Sequence, residues 1–324
     1  MALNRKTFKS EITTGFGEKS ALSGGRFYRK DGKANVIRRG INFFDQLSWY
    51  HTLLNIPRWE FWFTLLGVYI LVNCLFAFIY VFAGVEHLAG IQKGMWWQNY
   101  IEAFFFSEQT FTTVGYAQVS PSGLLTSIIA SFESFLGVLS LALASGLFYG
   151  RFSKPRSFLK FSDIALLTPF REGTAFMFRT VPYKNNQLLE AEVKLLLGMR
   201  VNKDGEEKNV FYNLKVEYSK INSLALNWTI VHPIDEESPM YGMTLEELKN
   251  SSAEVLVHLQ AYDEGFSSTV IARTSYTAHE MVEGAKFKPM YHSSEDGTAT
   301  VLEIDLLNQF EMVPAPKLKQ AGSV

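Results

Sequence analysis

A run of 25 residues without a charged side chain, from Phe61 to Val85, constrains the fold of this chain more than any other feature. Within it, the segment Phe61–Phe82 is apolar on every side and is interrupted mainly by Asn73. At 1.5 Å per helical residue this segment is roughly 33 Å long, enough to cross a hydrocarbon core of about 30 Å. A buried core helix is the alternative, but the length and the lack of charge favour a membrane span.

A second segment, Leu124–Tyr149, carries a single charge, Glu133. It is rich in small residues, which allow helices to approach closely in a membrane. These small residues are Gly137, Ser140, Ala142, Ala144, Ser145 and Gly146. The pattern predicts a second span, and the chain is interpreted as a two-span membrane protein.

The charges that flank the two spans predict their orientation. Residues 1–60 hold 11 Lys and Arg, whereas residues 83–123 between the spans hold only Lys93. Four more cations follow the second span, namely Arg151, Lys154, Arg156 and Lys160. Because positive charge stays on the cytoplasmic side, we expect a multi-pass protein of the plasma (inner) membrane with both termini in the cytoplasm.

The connection between the spans is too apolar to be an ordinary solvated loop. Residues Tyr100–Thr110 are predicted to form a short helix packed among the spans. Non-helical backbone at membrane depth survives only where it is buried in protein or lines a water-filled path. The helix is followed by Thr113–Ala117, with the sequence TVGYA. A Thr-Val-Gly-Tyr-Gly loop is the potassium selectivity filter, in which backbone carbonyls replace the hydration shell of the ion.

The filter interpretation assigns a role to each residue of this loop. Potassium ions would bind the backbone carbonyls of Thr113, Val114, Gly115 and Tyr116, with Thr112 supporting the loop from the helix end. One strand cannot surround an ion, so four copies of the chain are expected around an axis, as a homotetramer. No cofactor is expected apart from these potassium ions.

The chain resembles the inward-rectifier potassium channel family, most closely its bacterial branch, from about residue 32 to residue 314. The segments that carry the resemblance are FFFSEQTFTTVGY at 104–116, RFSKP at 151–155, LLEA at 188–191 and IVHPIDEESP at 230–239. The resemblance implies a membrane α-helical pore domain with two transmembrane helices, a re-entrant pore helix and a filter. An all-β, immunoglobulin-like cytoplasmic sandwich would follow this pore domain.

The resemblance also implies domain boundaries. They are a cytoplasmic N-terminal segment 1–42, an interfacial slide helix within 43–57, a pore domain 58–150 with the filter at 113–117, a linker 151–161, a β-sandwich 162–312 and a tail 313–324. The slide helix is expected at Phe43–Leu54, and a short N-terminal strand at Asn35–Ile37.

Pore-lining positions are carried over from the family pattern. Leu141 and Tyr149 fall on gate positions of the inner helix, with ordinary helix packing as the alternative. Gly137 matches a bend in that helix, and close packing behind the filter is an equally weighted alternative. Glu133 is expected behind the filter, bonded to pore-loop groups, because an unpaired acid at the bilayer centre is costly.

Two departures from the family pattern affect conduction. Ala117 replaces the fifth filter glycine at a position expected to need a backbone conformation that costs an L-residue about 1–2 kcal/mol. We expect potassium selectivity to survive because Thr113, Val114 and Gly115 are intact. Leu141 stands where strong rectifiers carry an acid, so block by polyamines or Mg²⁺ is expected to be weak. An acidic ring at Glu190 in the cytoplasmic pore is a second possible source of rectification.

The cations Arg58, Arg151, Lys154 and Arg156 are predicted to bind anionic lipid at the inner leaflet, each contributing roughly 1 kcal/mol. Simple positive-inside anchoring is the alternative. Beyond residue 162, alternating segments predict short β-strands of a sandwich. These predicted strands are Glu190–Val201, Val210–Ser219, Leu224–Val231, Glu254–Tyr262 and Ser267–Thr277.

Other function classes find little support in the sequence. The net charge of −1 gives no basic footprint for nucleic acid, and the residues include no catalytic constellation, so an enzyme is not expected. The leading hypothesis is a tetrameric potassium channel gated at the inner helices and modulated by anionic lipid and the cytoplasmic domain. Its alternatives are a weakly selective cation channel, because of Ala117, and a membrane-tethered binding module.

Overall fold

The computed structural model describes residues 26–37, 39–40, 48–92, 94–203 and 206–314, together with Ser10 and Gly15. The chain divides into two compact units. One is the helical unit, residues 38–154, and the other is the β-rich unit, which combines residues 1–37 with residues 155–324.

Among its described residues, the helical unit has four α-helices, which are α1 (Trp49–Asn55), α2 (Arg58–Ala83), α3 (Trp96–Phe111) and α4 (Leu124–Phe152). Helices α2 and α4, of 26 and 29 residues, are long and apolar enough to cross a membrane, and they contain the two predicted spans. Helix α3 contains the predicted pore helix Tyr100–Thr110. Residues Trp49–Leu54 of the predicted slide helix lie in α1, whereas its first residues, Phe43–Leu47, lie outside the described residues.

Helix α3 packs between the two long helices through a buried apolar cluster. The cluster joins Phe76 and Tyr80 of α2 to Ala103 and Phe106 of α3, and Ala130 of α4 completes it. The rings of Tyr80 and Phe106 meet edge to face with centroids 5.0 Å apart, a favoured aromatic geometry. A two-residue ladder between β1 (Leu88–Ala89) and β2 (Ser120–Pro121) ties the two ends of the connection together.

The β-rich unit is built mainly from two five-stranded sheets. Its strands are β3 (Leu159–Phe161), β4 (Ala165–Phe170), β5 (Gly173–Pro182), β6 (Leu188–Lys203), β7 (Glu206–Leu214), β8 (Lys220–Ser223), β9 (Trp228–Ile234), β10 (Glu254–Asp263), β11 (Ser268–Thr277), β12 (Met281–Glu283), β13 (Ala285–Phe287), β14 (Tyr291–Ser293), β15 (Thr300–Leu302) and β16 (Phe310–Met312). Helix α5 (Leu245–Asn250) follows β9, and its Thr244 N-cap accepts a hydrogen bond from the Glu247 amide.

One sheet has the order β11-β10-β6-β7, with β8 on β6, and the other has the order β12-β4-β5-β3, with β9 on β5. Both sheets contribute to one buried cluster, in which Phe176 and Phe178 of β5 join Val193 and Leu195 of β6. The sheets therefore form a sandwich around a shared core. Small ladders β13-β16 and β14-β15 complete the unit.

Several strand predictions need correction. The predicted strand Val210–Ser219 ends at Leu214, and the predicted strand Leu224–Val231 overlaps β9 only from Trp228 onward. Strand β8, just before Leu224, was not predicted. Strands β3, β4 and β5 were not predicted. In β4 and β5 the buried residues run consecutively instead of alternating, so the period-two pattern of a half-buried strand is missing.

The N-terminal strand predicted at Asn35–Ile37 is not formed. Instead a single bridge joins Tyr28 to Ala34. The backbone amide of Phe27 donates to the Glu254 carboxylate at 2.6 Å, and the Phe27 ring contacts Phe211 with centroids 5.0 Å apart. Burial of the Phe27 ring, the hydrogen bond to Glu254 and an ion pair of Arg26 with Glu280 at 2.8 Å attach this segment to the β-rich unit.

Candidate ion pathway

The loop Thr113–Ala117 follows α3 directly and has an unusual backbone. Thr113, Gly115 and Ala117 have φ values of 58°, 54° and 61°, in the left-handed region, whereas Val114 and Tyr116 do not have positive φ. A regular strand has negative φ at every residue, so a positive φ at every second residue shows that this loop is not a strand. The amides of Val114 and Gly115 both donate to the Gln109 carbonyl, at 3.0 and 3.3 Å, so the loop folds back on the helix end.

The last turn of α3 is held by hydroxyl groups. The Thr112 hydroxyl donates to the Glu108 carbonyl at 2.7 Å, and the Thr110 hydroxyl donates to the Phe106 carbonyl at 2.8 Å. Thr112 is the C-terminal cap residue of α3. The helix end adjoining the loop carries the negative end of the helix dipole, which favours a cation.

Glu133 is fully buried and joins three helices. The Tyr80 hydroxyl of α2 donates to its carboxyl group at 2.6 Å, and the Ser107 hydroxyl of α3 forms a short hydrogen bond with its other oxygen. The Ser107 oxygen also lies 3.1 Å from the Asn73 side-chain oxygen. No Lys or Arg forms an ion pair with Glu133 among the described residues, so hydrogen bonds alone satisfy this buried acid.

Gly137 lies against the end of α3. A Cβ atom at this position would stand 1.9 Å from the Phe111 carbonyl oxygen, which is far inside van der Waals contact. Of the two alternatives that the sequence left open, the bend and the close packing, this approach of helix to helix supports the close packing.

Leu141 and Tyr149 both point away from the rest of the helical unit. Their side chains are 69% and 76% exposed, so neither packs within the chain. The alternative of ordinary helix packing is therefore not supported for Leu141 and Tyr149 within one copy of the chain.

The structure gives the predicted lipid-binding cations different surroundings. Arg151 donates to the backbone carbonyls of Leu53 and Ile56 at 3.0 and 2.6 Å, and its guanidinium lies over the Phe61 ring at 4.8 Å. Arg151 therefore caps the end of α1, a role that sequence reasoning missed. Lys154 donates to the Asn55 side chain at 2.6 Å.

The other two cations of this set are exposed. Arg58 begins α2 and is exposed. Arg156 is exposed and belongs to the β-rich unit. Neither forms an ion pair among the described residues, so both guanidinium groups are accessible to an anion.

Glu190 has left-handed backbone, with φ of 51°, where the register between β6 and β10 shifts. Its carboxylate forms a close ion pair with Lys220, and this hydrogen-bonded pairing raises the pKa of Lys220. The neighbouring Glu192 pairs with Lys194 at 3.3 Å, and the hydrogen bond from Lys194 lowers the pKa of Glu192. The expected acidic surface around Glu190 is therefore balanced by lysines within the same chain.

Two known protein families match this chain, one over most of the β-rich unit and one over most of the helical unit. A family described as "Inward rectifier potassium channel C-terminal domain" matches residues 159–323, and one described as "Ion channel" matches residues 67–154. The second range includes the TVGYA loop, all of α3 and α4, and most of α2.

Individual relatives extend over both units. The inward rectifier potassium channel Kirbac3.1 of Paramagnetospirillum magnetotacticum is 33% identical over 84% of this chain and 91% of its own length. The G protein-activated inward rectifier potassium channel 4 of Mus musculus is 28% identical over 82% of this chain and 68% of its own. The human inward rectifier potassium channel 4 is 29% identical over 59% of this chain and 45% of its own.

These relatives are ion channels, and their family does not consist of enzymes. The predicted fold class, two candidate transmembrane helices followed by a β-rich domain, is confirmed by the structure and by these matches. The chain belongs to the inward rectifier potassium channel family.

Proposed function

We propose that four copies of this chain form a potassium channel whose ions pass through the loop Thr113–Ala117. The observation that carries the proposal is the attachment of this loop to the C-terminal end of α3, between two candidate spans. The backbone carbonyls of Thr113, Val114, Gly115 and Tyr116 would bind dehydrated potassium ions, which move by knock-on between adjacent sites.

The exposed apolar surface of the helical unit supports assembly. Leu141, Leu143 and Tyr149 of α4 are all more than two-thirds exposed in a single copy. One loop contributes carbonyls to only one side of an ion, so a closed ring of four copies is the simplest arrangement that surrounds it. In this ring, Leu141 and Tyr149 of each copy would narrow the path and form the inner gate.

Contacts among α2, α3 and α4 support the loop Thr113–Ala117. Glu133 links Tyr80 of α2 to Ser107 of α3, and Gly137 lets α4 approach Phe111. Both contacts hold α3 in place, so we assign Glu133, Gly137 and Thr112 to the support of the filter.

We place both termini in the cytoplasm, where the β-rich unit would modulate the gate. Anionic lipid is proposed to bind Arg58, Lys154 and Arg156, because these cations are exposed. Arg151 already donates to two backbone carbonyls, so we give it a mainly structural part in the same region. Block by polyamine or Mg²⁺ would be weak, because Leu141 is apolar and Glu190 is paired with Lys220.

A weakly selective cation channel is the second candidate. The observation that favours it is the φ of 61° at Ala117, since an L-residue in the left-handed region carries strain of about 1–2 kcal/mol. A membrane-tethered binding module is disfavoured, because a tether has no use for a helix and a loop that return into the membrane.

Reconstitution separates these functions. The purified protein is expected to have the mass of a tetramer and to give potassium flux in liposomes that external Ba²⁺ blocks. A stable protein that is monomeric and gives no flux would support the tether. Flux of sodium and potassium at equal rates would support the weakly selective channel.

A further inference from the structure

A cavity of about 450 Å³ opens in the β-rich unit, on one face of the sheet that contains β4, β5 and β9. Its base includes Met177 and Arg179 of β5, with Leu166 of β4 opposite Met177 in the ladder and Thr229 of β9 opposite Arg179. Lys286 and Phe287 of β13 form part of its wall. The cavity belongs entirely to one unit and shares no residue with the proposed ion pathway.

Arg179 is the unusual residue of this cavity. Its side chain is buried, with 6% exposed, and its guanidinium lies over the Phe287 ring at 4.5 Å. One terminal nitrogen donates to the Lys288 carbonyl at 2.6 Å, but the buried Nε has no hydrogen-bond partner. No carboxylate pairs with Arg179 among the described residues. Burying a charged guanidinium without an anion costs free energy, and the described residues supply no anion for Arg179.

The other polar side chains that line the cavity are also cations or hydrogen-bond donors, which favour an anion. Lys286 is exposed and forms no ion pair within the part of the chain that the structure describes. Arg171 also lines the cavity but is paired with Glu217. Thr168 and Thr229 add hydroxyl groups, and no Asp or Glu is among the lining residues. Two positive charges, on Arg179 and Lys286, therefore line one small space. Glu311 lies opposite Lys286 in the β13-β16 ladder but is not among the lining residues.

We propose that this cavity binds a phosphate monoester carried on a small apolar body. A phosphate monoester has a charge of about −1.5 to −2 at neutral pH, which suits a cavity lined by the cations Arg179 and Lys286 and by no acid. One terminal nitrogen of Arg179 is bonded to the Lys288 carbonyl, and the other is left to donate to a phosphate oxygen, which a guanidinium binds well. The apolar lining, which includes Leu166, Met177 and Phe287, suits the organic part of such a ligand.

The phosphate could be carried by a soluble metabolite or by a lipid headgroup, and the recognised chemistry is the same. Burial lowers the pKa of Arg179 to about 10, which leaves the guanidinium charged at neutral pH. The proposal is independent of conduction, because binding can be measured on purified protein without any flux.

Phenyl phosphate is the probe, added to the purified full-length protein in detergent and followed by calorimetry and thermal unfolding. We expect saturable binding and a rise in the unfolding temperature. Inorganic phosphate is expected to bind more weakly, because it has no apolar part, and benzyl alcohol is expected not to bind. Absence of binding by phenyl phosphate, or equal binding by benzyl alcohol, would overturn the proposal.

Variants locate the site. Lys286→Gln removes one of the two cations from an exposed position and is expected to weaken binding about tenfold, the effect of one charged hydrogen bond. The matched control is Lys288→Gln, an exposed lysine two residues along the chain that does not line the cavity; it is expected to bind as the wild type does. Arg179→Lys keeps the positive charge but removes the planar guanidinium, so weaker binding of phenyl phosphate is expected. Equal affinities of the wild type and Lys286→Gln would contradict the proposed site.

A competition experiment identifies the source of the phosphate. Displacement of phenyl phosphate by a short-chain phosphatidic acid would support a lipid headgroup as the ligand. Bound phenyl phosphate that resists this lipid would support a soluble phosphate monoester.

Discussion

The Tyr80 hydroxyl donates a 2.6 Å hydrogen bond to Glu133, and through this bond the first candidate span is joined to the second behind the filter loop. Ser107 of α3 contacts the same carboxyl group. A hydroxyl has one proton to donate, and the Ser107 oxygen lies beside both Glu133 and the Asn73 side-chain oxygen. A donor at the position of the Glu133 oxygen would allow Ser107 to donate to Asn73.

Glu133→Gln places an amide donor at that position, so we expect it to keep the stability and the potassium selectivity of the wild type. Glu133→Leu leaves the Tyr80 hydroxyl without its partner, at about 1–3 kcal/mol for a buried polar group. Ser107 can still donate to the Asn73 side-chain oxygen, 3.1 Å away. Ser131→Ala is the matched control, because its hydroxyl bonds only the Ser127 carbonyl of the same helix. Thermal unfolding of the three variants is the measurement, and a Leu variant as stable as the wild type would contradict the bracing role.

Replacement of Gly137 distinguishes packing from bending. In Gly137→Ala the new methyl group would overlap the Phe111 carbonyl oxygen, and overpacking of this kind costs about 1–3 kcal/mol. Gly146→Ala on the same helix is the control, because nothing lies within 4 Å of its new Cβ. We expect loss of stability and of flux in the first variant only. A Gly137→Ala protein of normal stability that stays closed would instead support the bend.

The pairing of Lys220 with Glu190 predicts how polyamines act on the channel. Lys220→Gln leaves the Glu190 charge uncompensated, so internal spermine should block outward current at a several-fold lower concentration. Glu190→Gln should change block in the opposite direction. Lys215→Gln, which breaks a similarly exposed pair with Glu237, is the control. Voltage ramps with internal spermine measure the effect, and unchanged block in Lys220→Gln would exclude Glu190 from the pathway.

His232 predicts a pH dependence of stability. Its Nδ1 donates to the Lys215 carbonyl and its Nε2 accepts from the Ser238 hydroxyl at 2.8 Å, an arrangement of the neutral ring. Burial lowers the pKa of His232 below the ordinary 6.5. The unfolded chain therefore binds a proton first, and stability falls as the pH drops below about 6.5 towards the lowered pKa.

The measurement is chemical unfolding at several pH values between about 8 and 5. His232→Gln should flatten the acid side of this profile, although its stability is lower throughout. His292→Asn is the control of opposite sign, because a backbone carbonyl and Glu303 raise the pKa of His292. In the wild type, the stabilising contribution of His292 is present below pH 6.5 and is lost as the pH rises through its raised pKa. An unchanged acid slope in His232→Gln would contradict the assignment.

The sequence predicted the parts of the fold that repeat a simple pattern. The long apolar segments located α2 and α4 to within three residues at each end, since length and apolarity suffice to recognise a span. Strands β4 and β5 escaped prediction because their consecutive buried residues resemble neither a span nor an alternating strand.

The contacts between distant residues could not be predicted in the same way. Arg151 caps a helix almost a hundred residues earlier in the chain, and Lys220 meets Glu190 through the β6-β8 ladder. Both depend on tertiary register, which neither composition nor spacing contains. For the same reason, Arg179 and its cavity gave no pattern in the sequence.

Ala117 links these structural arguments to the central claim, that potassium ions pass selectively through Thr113–Ala117. Its φ of 61° is strained for an L-residue, and Ala117→Gly would relieve about 1 kcal/mol of strain. This variant should therefore conduct with equal or greater selectivity, and it provides the control for the wild type.

The most direct test is the ratio of sodium to potassium permeability, measured from reversal potentials of the reconstituted wild-type protein and of Ala117→Gly in planar bilayers. We expect a ratio far below one for both proteins, no higher in Ala117→Gly than in the wild type. A ratio near one in both proteins would contradict a potassium-selective pathway through this loop.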